Sequence, residues 1–184
     1  MRTTVLALFS LILSITVSCA ENTRFWEQMS ETEKSCFLET QTVDGTLISL
    51  YNGSFEIGDN EETFKSLKLL STNNYDASHT DATSDAFYFH CFSKILNRSD
   101  GALSEVMGQY CWRIVNVSPR YSMAYMKSHN DIKDKFVEFI GYEFLFLDNL
   151  ESAYKDLMDT MSSDSAFAEE FVSAIKIFVQ EHQE

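Results

Sequence analysis

The stretch NDIKDKFVEFIGYEFLFL, Asn130–Leu147, decides the fold class. Within it Ile132, Phe136, Phe139, Ile140, Phe144 and Leu147 recur at i, i+4, i+7, i+8, i+12 and i+15. A helix turns by about 100° per residue, so these side chains share one face, whereas a strand would divide them between two. The same spacing resumes at Leu150, Tyr154, Leu157, Met158 and Met161. After the break Ser162-Ser163-Asp164-Ser165 it appears again at Phe167, Phe171, Ala174, Ile175 and Phe178. Residues 130–183 therefore read as successive amphipathic helices, and the rest of the chain must provide the surface that they bury.

Moving outward, Phe87, Tyr88, Phe89 and Phe92 place four aromatic rings in six positions, with Ile95 and Leu96 beyond. A helix this apolar on every side has to be surrounded by other helices. Ser84 or Asp85 is the expected cap, and Asn97–Gly101 the expected turn after it. Leu103, Val106, Met107, Tyr110, Cys111, Ile114 and Val115 define the next helix. The single proline, Pro119, ends or redirects it. Tyr121–Lys127 fits either a helix or a strand. The Phe136–Leu147 segment is also too apolar for an outer wall, and is expected to lie against Phe87–Leu96.

Nearer the N-terminus, Ser30 and Glu33 have capping-box spacing, which starts a helix over about 31–41 with Trp26 packing across its beginning. Asp59-Asn60-Glu61-Glu62 puts acids where a helix dipole is positive, and Phe64, Leu67 and Leu70 supply the stripe that follows. Ser71–Thr83 is polar and aperiodic, a long surface loop. Between these lies Thr46–Ile57, where two β-prone runs flank Asn52-Gly53. Asn-Gly is a strong hairpin signal because a type I′ turn needs positive φ at both residues. This segment reads either as a small hairpin over 46–57 or as a loop. The expected fold is a single all-α domain, a bundle of about six helices, spanning residues 21–184.

Residues 1–20 are set apart as a signal peptide that is removed. Arg2 is its basic start, Val5–Val17 its uncharged apolar run, and Ser18-Cys19-Ala20 its small-residue cleavage pattern. The apolar run is too short to span a bilayer, which needs about 20 residues. The expected location is therefore extracellular. The whole chain carries 28 acidic and 14 basic residues, a net charge of −14. Nucleic acids and anionic membranes attract clustered Lys and Arg, so this balance argues against both partners and fits a cationic one.

Beyond the leader the cysteines are Cys36, Cys91 and Cys111. In a secreted chain an odd number leaves one thiol over, free or available for a bridge to a second copy. Cys91 and Cys111 lie at similar distances from the Asn97–Gly101 turn. In an antiparallel helix pair the mismatch is about 4.5 Å, within reach of a disulfide. Cys36 with Cys91 is the alternative. Asn52-Gly-Ser, Asn97-Arg-Ser and Asn116-Val-Ser match the N-glycosylation pattern.

Catalytic patterns are missing. His79, His90, His129 and His182 form no zinc-protease or di-iron motif, and no nucleophile elbow, phosphate loop or dinucleotide fingerprint occurs. No metal or cofactor is implied, and the expectation is a binding protein rather than an enzyme. The aromatics then carry the functional reading. Phe87, Phe89, Phe92, Tyr110, Phe136, Phe139 and Phe144 exceed what one surrounded helix consumes, and surplus apolar surface serves either a cavity or an interface. The first reading is a secreted carrier that holds a hydrophobic small molecule, a lipid or signalling ligand, among those rings. The alternative is a secreted interaction factor, of effector or venom type, acting through an acidic face or an exposed aromatic patch.

Overall fold

A computed structural model describes residues 23–72 and 82–183. Among these residues the chain is helical and has no strand. The helices are α1 (Glu31–Thr40), α2 (Gly45–Asn52), α3 (Glu61–Ser71), α4 (Ala82–Leu96), α5 (Gly101–Val117), α6 (Pro119–Ser128), α7 (Asn130–Phe144), α8 (Leu150–Thr160) and α9 (Ser165–His182). Short 3₁₀ turns at Trp26–Gln28 and Ser162–Asp164 complete the set. The leader expected at 1–20 lies outside the described residues, as does most of the loop expected at Ser71–Thr83.

The all-α class agrees with the helical periodicity, but nine described helices replace about six. One of the additions corrects the hairpin. Thr46–Asn52 belongs to α2, whose N-cap Asp44 accepts a hydrogen bond from the Thr46 N–H at 2.7 Å. Gly53 ends that helix in the left-handed region, at φ 68°, and donates to Leu50 O. Positive φ at glycine is needed by a helix C-terminus as much as by a hairpin, so Asn52-Gly53 could not separate the two. Packing separated them: Leu47 and Leu50, three apart, are both buried. The second addition is α6, with Pro119 as its first residue, where the missing N–H costs nothing. Ser84 and Asp85 are not caps, because α4 already starts at Ala82. Ser84 is buried and Asp85 accepts a hydrogen bond from Ser118 Oγ at 3.0 Å.

The helices form two layers. In one, α3, α5, α7 and α9 pack successively side by side; in the other, α2, α4 and α6 do the same. α5 and α7 run in the same direction. Lys135 Nζ donates to Leu96 O at 3.1 Å, Gly108 faces Phe139 and Glu143, and the Trp112 ring meets Phe144 at 5.0 Å. α7 and α9 are parallel as well, since Lys133 pairs with Glu170 at 2.9 Å and Tyr142 meets Phe178 at 4.9 Å. The intervening α6 and α8 carry the chain back each time. Two glycines set the spacing of the first layer. A Cβ on Gly108 would collide with the Phe139 carbonyl, and one on Gly141 with the Phe178 ring.

Of the stripe that decided the fold class, Ile132, Phe136, Phe139, Ile140 and Phe144 lie in the core as expected, while Leu147, past the end of α7, is half-buried. The expected pairing of Phe136–Leu147 with Phe87–Leu96 holds at one end. Phe136 stacks on Phe89 at 6.0 Å and meets Phe92 edge-on at 5.8 Å. From Phe139 onward α7 lies between α5 and α9 instead. Lysines also bind the layers together. Lys94 Nζ donates to Leu50 O at 3.2 Å and Tyr51 O at 2.7 Å, so a positive charge sits at the carbonyl end of α2. Lys135 does the same for the end of α4.

Candidate functional site

Most of the seven rings expected to hold a ligand fill one another's space. Phe87 packs with Trp26 at 5.1 Å, Phe37 at 5.2 Å and Tyr51 at 5.6 Å. Phe89, Phe92 and Phe136 form a second group with Tyr121 and Tyr125. Phe144 meets Trp112 and Tyr154. All five of these phenylalanines are buried. Tyr110 lies apart, half-buried, with the Arg113 guanidinium 5.9 Å from its ring centre. Phe139 alone of the seven lines the groove described below.

The expected disulfides are absent: Cys36, Cys91 and Cys111 are all free, Cys36 exposed and the other two buried. Equal distance from a turn brings two residues together only if the helices stay side by side. α4 packs mainly on α2, α3, α6 and the Trp26 turn rather than along α5. Burial pushes the Cys91 thiol up to about 12 and Cys111 well above its usual range, so neither is a nucleophile. Of the glycosylation acceptors, Asn52 and Asn97 are exposed at helix ends. Asn116 is exposed on α5 but engaged, since its Oδ1 accepts from Thr160 Oγ1 at 3.0 Å.

One polar cluster joins the chain's N-terminal turn to the two layers. Glu27 Oε1 lies 2.8 Å from His90 Nδ1 and accepts from Tyr125 Oη at 3.3 Å. Burial pushes the Glu27 carboxyl up, but hydrogen bonds from His90, its own backbone and Tyr125, with the His90 charge, outweigh it and leave it below the usual range. Burial, with the Glu27 charge beside it, raises the Tyr125 phenol to about 12. These contacts tie the Trp26–Gln28 turn to α4 and α6. Among the described residues, every buried side-chain N or O atom has a hydrogen-bond partner, and no group of three or more His, Cys, Asp or Glu is placed to hold a metal. No described helix is long and apolar enough to cross a membrane.

The surface feature that stands out is a groove of about 650 Å³ along the α5–α7 seam. α5 contributes Ser104, Glu105 and Gly108; α7 and the turn after it contribute Glu138, Phe139, Tyr142, Glu143 and Phe146. Phe139 forms the buried floor, Tyr142 is 43% exposed, and Phe146 is 86% exposed. The Phe146 backbone is nonetheless fixed. Leu145 N–H donates to Gly141 O, Phe146 N–H to Glu143 O at 3.3 Å, and Leu147 N–H to Phe144 O. An ordered turn therefore holds a whole phenyl ring in water. Glu105, Glu138 and Glu143 have no ion-pair partner among the described residues. The nearby α7 lysines are committed elsewhere, Lys133 to Glu170 and Lys135 to Leu96 O.

Of the groove's residues only Phe139 is among those expected from the sequence; Glu105, Glu138, Tyr142, Glu143 and Phe146 are not. The available signal was the Phe139–Leu147 segment, apolar on nearly every face at the end of a helix. No protein-family model matches this chain, and comparisons with curated proteins and with solved structures find no match.

Proposed function

We propose that this protein is a secreted interaction factor that engages a protein partner through the α5–α7 groove, with Phe146 as the anchoring ring. The observation that carries this reading is the 86% exposure of Phe146 on a hydrogen-bonded turn, beside Tyr142 and above Phe139. Burying apolar surface is favourable by roughly 25 cal/mol per Å². A ring kept in water on a fixed backbone forgoes that gain within the fold and keeps it for a partner. Aromatic residues are also among the side chains that dominate interface energetics. The carrier reading draws less support, because Phe87, Phe89, Phe92, Phe136 and Phe144 are already packed against other rings. The leader-like N-terminus supports export, and the net charge of −14 supports a partner that is neither nucleic acid nor anionic membrane.

The test is a photo-reactive phenylalanine analogue at position 146 of the full chain, exposed to extracellular fluid of the source organism. The expected result is one discrete covalent adduct, lost when Tyr142→Ala is added. No adduct at 146, or the same adducts from a probe placed at exposed Ser173, would overturn the reading. Native mass spectrometry of the protein from its source tests the carrier alternative, which a co-purifying lipid would favour.

A further inference from the structure

The groove's walls specify what kind of segment it accepts. Phe139 and Tyr142, at i and i+3 on α7, and Phe146, on the turn just past its end, line the groove together as an aromatic ridge. Gly108 on α5 lets the two helices meet closely, against Phe139 O and Glu143 Cβ, so it forms the base of the seam from which the groove opens. A ridge beside a seam between two parallel helices is the surface into which a third helix packs its own i, i+3 or i+4 row.

Charge then selects among helices. Glu105 on one wall and Glu138 and Glu143 on the other flank the ridge with no cation to meet them among the described residues. A second copy of this chain, at a net charge of −14, would bring like charge to that site. A segment with Lys or Arg beside its apolar row would neutralise all three carboxylates while covering Phe146. We infer that the α5–α7 groove binds a basic amphipathic helix, with apolar anchors at i, i+3 or i+4, and i+7 seated on Phe139, Tyr142 and Phe146, and with flanking cations paired to Glu105, Glu138 and Glu143. This rests on the docking role proposed for the same groove and adds the chemistry of its partner.

The probe is a fluorescent two-heptad peptide of Leu and Lys arranged as an amphipathic helix, titrated with the full chain at about 150 mM salt. Controls are a scrambled peptide of the same composition and a Leu/Glu helix of the same pattern. Binding by the Leu/Lys helix and not by either control is expected. Phe146→Ala should weaken it about tenfold or more, a loss of 1.4 kcal/mol or greater. The combined Glu105→Gln, Glu138→Gln and Glu143→Gln variant should weaken it as much and flatten its salt dependence. The combined Glu151→Gln, Asp156→Asn and Asp159→Asn variant removes the same charge from α8 and should change binding less than about twofold. Equal binding of the scrambled peptide, or equal weakening by the α8 variant, would show general attraction to an acidic protein and overturn the inference. So would no binding at all. The docking role fails separately, on the cross-linking at position 146. If an adduct forms there and the Leu/Lys helix does not compete with it, docking stands and the basic-helix inference falls.

Discussion

Trp26 and Phe146 are both large aromatic residues at the edge of a helical element, yet one is 1% exposed and the other 86%. Trp26 sits on a 3₁₀ turn whose next residue, Glu27, is tied to His90 and Tyr125. That anchoring folds the indole back into a cage of Phe37, Tyr51 and Phe87, three rings from three different helices. Phe146 sits just past the end of α7, also on a hydrogen-bonded turn, but its neighbours are Tyr142 and the carboxylates of Glu138 and Glu143. In both places the backbone is fixed; the difference is whether other helices arrive to cover the ring. An aromatic-rich stretch therefore has two separable uses in this chain, cohesion around Trp26 and presentation around Phe146.

Truncating each ring in turn separates cohesion from presentation most forcefully. Trp26→Ala removes a side chain around which α1, α2 and α4 converge, and should cost about 3–5 kcal/mol in urea-induced unfolding. Phe146→Ala should change stability by no more than about 0.5 kcal/mol, as surface substitutions do. Comparable losses from the two would mean that Phe146 is structural and not presented. Gly108→Ala comes next. The added methyl meets the Phe139 carbonyl and Glu143 Cβ, a backbone contact that no rotamer change relieves. A loss of about 1–3 kcal/mol is expected, read as a lower urea midpoint with an unchanged slope. Since the displaced element carries Phe139, partner binding at the groove should fall with it.

The thiols sharpen the same contrast between covered and presented side chains with little change in energy. Cys36 is exposed on α1, whereas Cys91 and Cys111 are enclosed with their thiols held protonated by burial. Of these three, maleimide at neutral pH should label only Cys36 in the folded protein, and Cys91 and Cys111 should follow only in denaturant. Peptide mapping of the adducts checks this. Labelling of Cys91 before unfolding would show that the aromatic layer around α4 opens far more easily than its packing implies.

How legible these regions were in the sequence follows from the range of the interactions that set them. The α7 stripe was readable because helical period is local, and Ile132, Phe136, Phe139, Ile140 and Phe144 are buried as that period requires. The Ser30–Glu33 box was readable for the same reason, and Glu33 N–H does donate to Ser30 Oγ at 3.3 Å. Thr46–Asn52 is ambiguous locally because Gly53 answers two local demands, and the helix is chosen by burial of Leu47 and Leu50 and by Tyr51 meeting Trp26 and Phe87, distant in sequence. The disulfide was misjudged because the course of α4 after its turn depends on α2, α3 and α6. Phe146 was hardest to find. Its composition resembles that of Phe89, and its exposure depends on where α5 and α9 leave α7 uncovered, a property of the assembled layers and of no single segment.

The finest comparison concerns the two acids that hold the N-terminal turn and first helix, Glu27 and Glu33. Glu33 accepts from the Arg24 guanidinium at 2.6 Å and from the Ser30 backbone N–H at 2.8 Å. The Arg24 hydrogen bond, then those from Ser30, hold its carboxyl down at about 2. A carboxylate whose pKa is lower folded than unfolded stabilises the fold above the unfolded value, and that contribution disappears as pH falls through the folded one. Glu33 should therefore support α1 fully above the ordinary glutamate range and lose its effect between there and about pH 2. Glu27 is lowered too, against the upward push of its burial, so its contribution also fades on the acid side. Glu33→Gln should destabilise slightly at neutral pH and flatten the acid limb of the stability curve, leaving groove binding at neutral pH unchanged. An acid limb identical to that of the natural chain would mean that Arg24 and Ser30 do not hold Glu33 in solution. The difference between a tethered N-terminal region and a free groove would then rest on Trp26 packing and on the ties of Glu27 to His90 and Tyr125.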